Sequence, residues 1–202
     1  MIKRWGWDKG LVFTAAALPF VYLIWLAATG NLSANPIRTA THYTGLWALR
    51  FVVLVLTITP LARLAGWKQV MRYRRMIGLF AFFYALLHLM IYFVLDHFFD
   101  WPAILKDIVK RPYITIGMGA FTILLALAIT STNKMVRRMG ARNWQRLHRL
   151  VYVAAIGGGV HFMMSVKKDV TEPLIYLSVI AGLLLVRLAI HRPFRRVARA
   201  GG

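Results

Sequence analysis

The chain has 202 residues, 59% of them hydrophobic, against roughly 45 to 50% in soluble domains, and its mean hydropathy of +0.61 points to a lipid bilayer as its main solvent. A formal charge of +20 suggests a nucleic-acid binder, but the basic residues fall in blocks between apolar runs and read as topology signals. The absence of cysteine excludes disulfides, thiolate metal sites, iron–sulfur clusters and covalently attached haem, so any metal or cofactor is held by His, Met, Arg or carboxylates.

Six apolar windows follow in chain order, at 11–28, 46–64, 76–95, 113–132, 150–166 and 174–190. A hydrocarbon core about 30 Å thick takes roughly 20 residues of helix, so six spans use nearly the whole chain. The expected fold is an all-α membrane protein, a bundle of six transmembrane helices forming one domain over residues 1–202. The first window lacks a small-residue cleavage site and is followed by five more, which reads as a retained span. A frayed tail is expected at Gly201-Gly202.

The connections alternate sharply in charge. Lys3, Arg4 and Lys9 precede the first window, and Arg63, Lys68, Arg72, Arg74 and Arg75 follow the second. Lys134, Arg137, Arg138, Arg142, Arg146 and Arg149 follow the fourth, and Arg192, Arg195, Arg196 and Arg199 end the chain. Against these eighteen, the opposite side carries six, Arg38, Lys106, Lys110, Arg111, Lys167 and Lys168, so the positive-inside rule puts both termini in the cytoplasm. The outer connection 96–112 sets Phe98, Phe99, Trp101 and Ile104 among charges and predicts a short interfacial helix, lying on the membrane or docking a partner. Arg50 and Arg187 fall inside windows near their ends, where long side chains snorkel to the headgroups.

Three of the six histidines, His88, His148 and His161, sit in or at the ends of apolar windows, where a polar side chain is costly and marks a functional position. Taken singly, each serves as well for a hydrogen bond between helices as for a metal. The third window runs outward from Met76 and the fifth outward from His148, so His88 and His161 reach similar depth in the outer half. Two neutral imidazoles from different helices suit the axial positions of a b-type haem, six-coordinate and closed to oxygen. His148 lies 13 residues before His161. That is about 20 Å along the axis, room for a second, inner haem, although such a step turns an ideal helix about 140° off the same face. Between them, Gly157-Gly158-Gly159 permits a distortion, lets a flat macrocycle approach the backbone, or packs helices closely.

No second histidine stands near the inner end of the third window. Arg74, 14 residues before His88 and on nearly the same face, or its neighbour Arg75, is placed to approach the inner haem. A protonated guanidinium serves there more easily as a propionate partner than as a ligand, with positive-inside anchoring as the plain alternative. His42, ahead of the second window, is a surface-loop histidine or an aid to a quinone or partner site. His97 and His191 read as interfacial, and Met163 and Met164 as packing residues.

Several segments together carry a family resemblance over nearly the whole chain. They are Ala40-Thr41-His42-Tyr43-Thr44-Gly45, Thr57-Ile58-Thr59-Pro60-Leu61-Ala62-Arg63, Arg74-Arg75 ahead of Leu86-Leu87-His88-Leu89, Arg111-Pro112-Tyr113, and Trp144-Gln145-Arg146-Leu147-His148. On these the chain resembles the MsrQ (YedZ) family, haem-binding membrane subunits of the bacterial periplasmic methionine sulfoxide reductase system, related to ferric-reductase-like transmembrane domains. The resemblance implies haem ligands at His88, His148 and His161 and an inner-membrane location. It also implies quinol or a flavin, FMN included, as electron source and a periplasmic molybdopterin subunit, MsrP, as acceptor. No quinone or FMN site maps onto residues here.

The expected function is an electron-transfer subunit carrying two haems b across the membrane. The chain has no phosphate-binding glycine loop, no nucleotide fingerprint and no nucleophile–histidine–carboxylate set, so electrons come from a membrane carrier or a separate flavoprotein. Two other readings are a ferric or small-molecule reductase of the same haem architecture and a proton-coupled transporter. The scarcity of membrane carboxylates speaks against the transporter.

Overall fold

A computed structural model describes the backbone of residues 7–197 and the side chains of residues 7–190. Lys3, Arg4, Arg199 and the expected tail at Gly201-Gly202 lie outside the described residues, as do the side chains of His191, Arg192, Arg195 and Arg196. All regular structure among the described residues is helical. The first helix, α1, covers Trp7–Ala28. The Asn35 side chain accepts the Arg38 amide at 3.0 Å and Pro36 takes the first turn, so α2 (Pro36–Leu64) starts well before its apolar window. His42 therefore lies inside α2 and not in a loop ahead of it.

A 3-10 segment, Lys68–Tyr73, leads into α3 (Arg74–Met90), which loosens into a π-helical end, Ile91–Asp96. The predicted outer helix is α4 (Trp101–Lys110), capped by Asp100 on the Ala103 amide at 3.1 Å. Then come α5 (Pro112–Ile129), α6 (Asn133–Met139) and α7 (Ala141–His148), with Gly140 at φ +75° separating the last two. The chain closes with α8 (Val151–Ser165) and α9 (Thr171–Val197).

Among the described residues, five helices are long and apolar enough to cross a membrane: Trp7–Ala28, Pro36–Leu64, Lys68–Asp96, Pro112–Ile129 and Thr171–Ile190. The sixth expected span, 150–166, forms α8. Its 15 residues rise only about 22 Å. It does not stand alone, because the Leu150 and Tyr152 amides bond the Leu147 and Arg149 carbonyls at 2.9 and 3.0 Å and carry α7 into α8 through a tightened turn.

The core is organised on α2, whose Leu49, Phe51, Val52, Val55 and Leu56 are buried. It packs along α3 and touches α8 and α9, while α5 pairs with α8. Two prolines leave defects that other helices fill. At Pro19 the regular bonding of α1 opens, and the fully buried Tyr84 hydroxyl enters the gap, accepting the Phe20 amide at 3.0 Å and donating to the Ala16 carbonyl at 2.9 Å. Tyr84→Phe leaves that pair without its bridge and is expected to cost about 1–3 kcal/mol, read as a lower melting temperature in detergent; an unchanged melt would contradict this role.

Pro60, lacking an N–H, cannot satisfy the Leu56 carbonyl four residues earlier. Arg187 of α9 does so instead, donating to Leu56 O from Nη2 at 2.7 Å and from Nε at 3.2 Å, while Nη1 donates to the Tyr152 hydroxyl at 2.7 Å. Arg187 is 7% exposed, so it ties α2, α8 and α9 together and does not snorkel as expected from its position near a helix end. Arg187→Leu is expected to destabilise the bundle by about 3 kcal/mol. Adding Pro60→Ala, which returns an N–H to Leu56, should recover part of the loss in the same thermal assay.

Candidate functional site

His88 on α3 and His161 on α8 face each other within the bundle, with ring centroids 6.0 Å apart and planes at 86°. Each ring is held the same way. His88 Nδ1 lies 2.8 Å from the Thr41 carbonyl of α2, and His161 Nδ1 lies 2.7 Å from the Tyr113 carbonyl of α5. A carbonyl only accepts, so both Nδ1 atoms carry the proton, and both Nε2 atoms keep a lone pair for a metal. Two imidazoles bound at about 2 Å on opposite sides of one metal would set their centroids about 6 Å apart. The donor set therefore fits one six-coordinate haem iron, with the backbone carbonyls acting as the outer partners that fix each ligand's tautomer.

Glycines make the close approach possible. A Cβ on Gly45 would lie 2.9 Å from His88 Nδ1, and one on Gly117 would lie 2.7 Å from His161 Nδ1. In both cases the glycine sits four residues after the carbonyl that accepts the ring proton, Thr41 before Gly45 and Tyr113 before Gly117, so α2 and α5 present the same cradle twice. Sequence reasoning passed over these glycines; the repeated four-residue step ahead of each was the available signal. His42 stands beside this pair, within electrostatic reach of His88 and with its ring 5.6 Å from Phe162.

The inner end is built differently. His148 closes α7, stacks on Trp144 at 3.8 Å and places Nε2 3.1 Å from the Thr130 hydroxyl of α5. Trp144 Nε1 donates to the Thr130 carbonyl at 2.8 Å, which fixes this corner of α7 on the end of α5. Since the Thr130 hydroxyl already gives its proton to the Ala126 carbonyl at 2.7 Å, it accepts from His148 Nε2, and Nδ1 is the nitrogen left with a lone pair. Arg74 lies within electrostatic reach of His148, Arg187 and Tyr152. Arg75 turns away and donates to Asn133 Oδ1 at 2.8 Å. No second histidine faces His148 among the described residues. The inner position thus offers one nitrogen donor and one cation, which suits a haem with a single protein ligand and an anionic edge.

The glycine triplet does not distort α8, which stays regular throughout. Each residue instead meets a different neighbour: Gly157 meets Ile116 and Ala120 of α5, Gly158 meets Leu49 of α2, and Gly159 meets Leu177 and Ile180 of α9. The break between α7 and α8 falls at the tightened turn of Arg149 and Leu150, and the two histidines meet opposite ends of α5, His148 at the Thr130 cap and His161 at Tyr113. His97 Nε2 lies 3.4 Å from Asp107 of α4.

Residues 44–159 match the family model described as ferric reductase like transmembrane component. The chain is similar to the protein-methionine-sulfoxide reductase heme-binding subunits MsrQ of Brucella ovis, Brucella canis and Brucella suis. It is 49% identical to each over 193 residues, covering 96% of this chain and 86% of each relative.

Proposed function

Because the chain belongs to the MsrQ family of haem-binding subunits of protein-methionine-sulfoxide reductase, we propose that it carries electrons across the bacterial inner membrane to a periplasmic molybdopterin reductase, MsrP. That partner then repairs oxidised methionine. The observation that carries this reading is the His88–His161 pair, with ring centroids 6.0 Å apart and each Nδ1 engaged by a carbonyl so that Nε2 keeps its lone pair.

A bound haem b supplies a one-electron couple that needs neither bond making nor proton transfer. The chain's own groups do the rest. Thr41 and Tyr113 hold the two histidine rings in one tautomer and orientation, and His88 and His161 would together hold the iron and leave oxygen no open site. His148 would hold a second haem, for whose propionates Arg74 would supply a countercharge. Quinol or a reduced flavin such as FMN delivers electrons on the cytoplasmic side, and α7 and α8, joined by the turn at Arg149 and Leu150, together make the sixth crossing that leaves both termini in the cytoplasm, in line with the charge bias.

The test is reduction of purified protein in proteoliposomes by quinol or reduced flavin, followed by addition of the periplasmic reductase with a methionine sulfoxide substrate. Reoxidation dependent on the reductase is expected. The ferric-reductase-like match favours one second reading, in which ferric chelates reoxidise the protein at the same rate without a partner.

A further inference from the structure

Arginine carries five N–H donors and no acceptor, and inside a bilayer each donor left unpaired is costly. Arg50 and Arg187, two arginines inside the apolar windows, answer this in opposite ways. Arg187 directs its guanidinium to the Leu56 and Val55 carbonyls and the Tyr152 hydroxyl, every nitrogen engaged. Arg50 is the middle residue of α2 (Pro36–Leu64). It is about 21 Å of helix from either end, and about 15 Å from the edge of a hydrocarbon core of about 30 Å centred on the helix, farther than its side chain can snorkel.

The Arg50 Nε donates to the Tyr176 hydroxyl of α9 at 2.9 Å, and its guanidinium carbon lies 4.8 Å from the centroid of the Trp47 ring. These contacts fix the direction of the group and leave both Nη atoms without a hydrogen-bond partner among the described residues. The ion pairs among those residues that involve an arginine belong to Arg72 and Arg111. The six acidic residues of the chain, Asp8, Asp96, Asp100, Asp107, Asp169 and Glu172, all stand near helix ends or in connections, away from the middle of α2. A mid-membrane cation with its forked face open and no carboxylate in the chain to meet it calls for an anionic partner from outside the chain.

The neighbours say where that partner comes from. The Tyr176 ring lies 6.3 Å from that of Phe162, the residue after His161, and His42 closes on Phe162 from α2 at 5.6 Å. Arg50 is five residues inward of Gly45, the cradle of His88. We propose that Arg50, aimed by Tyr176 and Trp47, binds a carboxylate of the macrocycle held between His88 and His161, a haem propionate directed toward the middle of the membrane. This rests on the haem reading above. The guanidinium and carboxylate neutralise one another in the low-dielectric interior, and the cation favours the reduced iron.

The test titrates haem-depleted full-length protein in nanodiscs with iron protoporphyrin IX and, separately, with its dimethyl ester, whose propionates carry no charge. Formation of the low-spin absorption spectrum is followed for wild type, Arg50→Gln, Arg50→Lys and Tyr176→Phe. Wild type is expected to bind the ester about 10 to 100 times more weakly than the free acid, the size of an outer-shell contact. Arg50→Gln should lose that much affinity for the free acid and no longer distinguish the two, with Arg50→Lys and Tyr176→Phe in between.

A tenfold weaker hold on the reduced state in Arg50→Gln would appear as a midpoint potential lower by about 59 mV. Equal binding of acid and ester by wild type, or undiminished discrimination by Arg50→Gln, would overturn the proposal while leaving the haem reading intact; a lipid phosphate over Arg50 would give that result. A wild type that forms a low-spin spectrum with neither compound would overturn both.

Discussion

Alanine at His88 and alanine at His161 are expected to abolish the same haem. Each ring presents one Nε2 lone pair to the space between α3 and α8, and each is locked by its own Nδ1 bond to a carbonyl, so neither can be replaced by a swing of the other. Removing either leaves one axial nitrogen and a wide gap on the opposite side. Haem quantitation and reduced-minus-oxidised spectra should therefore show one equivalent lost in each variant, and no further loss of that signal when the two are combined. His148→Ala should spare this signal and remove the second haem. Retention of full haem by either outer variant would show that the iron is held elsewhere.

The second large effect is expected from the smallest change. Gly117→Ala adds one carbon 2.7 Å from Nδ1 and 2.9 Å from Cε1 of His161, distances that real contacts essentially never show. The ring cannot retreat without giving up the 2.7 Å bond to Tyr113 that sets its tautomer. Haem affinity should fall by about 10- to 100-fold, even though alanine is the better helix former by about 1 kcal/mol and the melting temperature of the haem-free protein should hold or rise. Gly119→Ala, on the same helix with nothing within 4 Å of its added carbon, is the control and should leave haem affinity unchanged. If both variants bound haem like wild type, the cradle would have no part in holding the ligand.

Much of this arrangement could be read from residue order. Long apolar windows locate α1, α3, α5 and α9 because hydrocarbon demands uninterrupted apolar helix, and the depth reckoning along two outward-running helices brought His88 opposite His161. What was missed depends on partners distant in the chain. Pro60 looks like a flaw in α2 until Arg187, far along the sequence, supplies the donor that it lacks, and no local pattern connects the two. Arg50 was assigned to headgroups because its apolar window opens at residue 46; with the helix starting at Pro36 it lies in the middle. The Asn35-Pro36 cap that sets this start lies ahead of the apolar run, where hydropathy carries no signal. Of the three readings of the glycine triplet, close helix packing is the one its neighbours match, whereas the break between α7 and α8 falls at Arg149 and Leu150, which are ordinary residues.

The most direct test of the central claim is haem quantitation with a reduced-minus-oxidised spectrum on the purified wild-type chain supplied with haem. About two haems b per chain, a low-spin one lost with the His88–His161 pair and a second one lost with His148, is the predicted result. A colourless protein that binds no haem would contradict the account and leave the paired histidines as a hydrogen-bonded contact between helices.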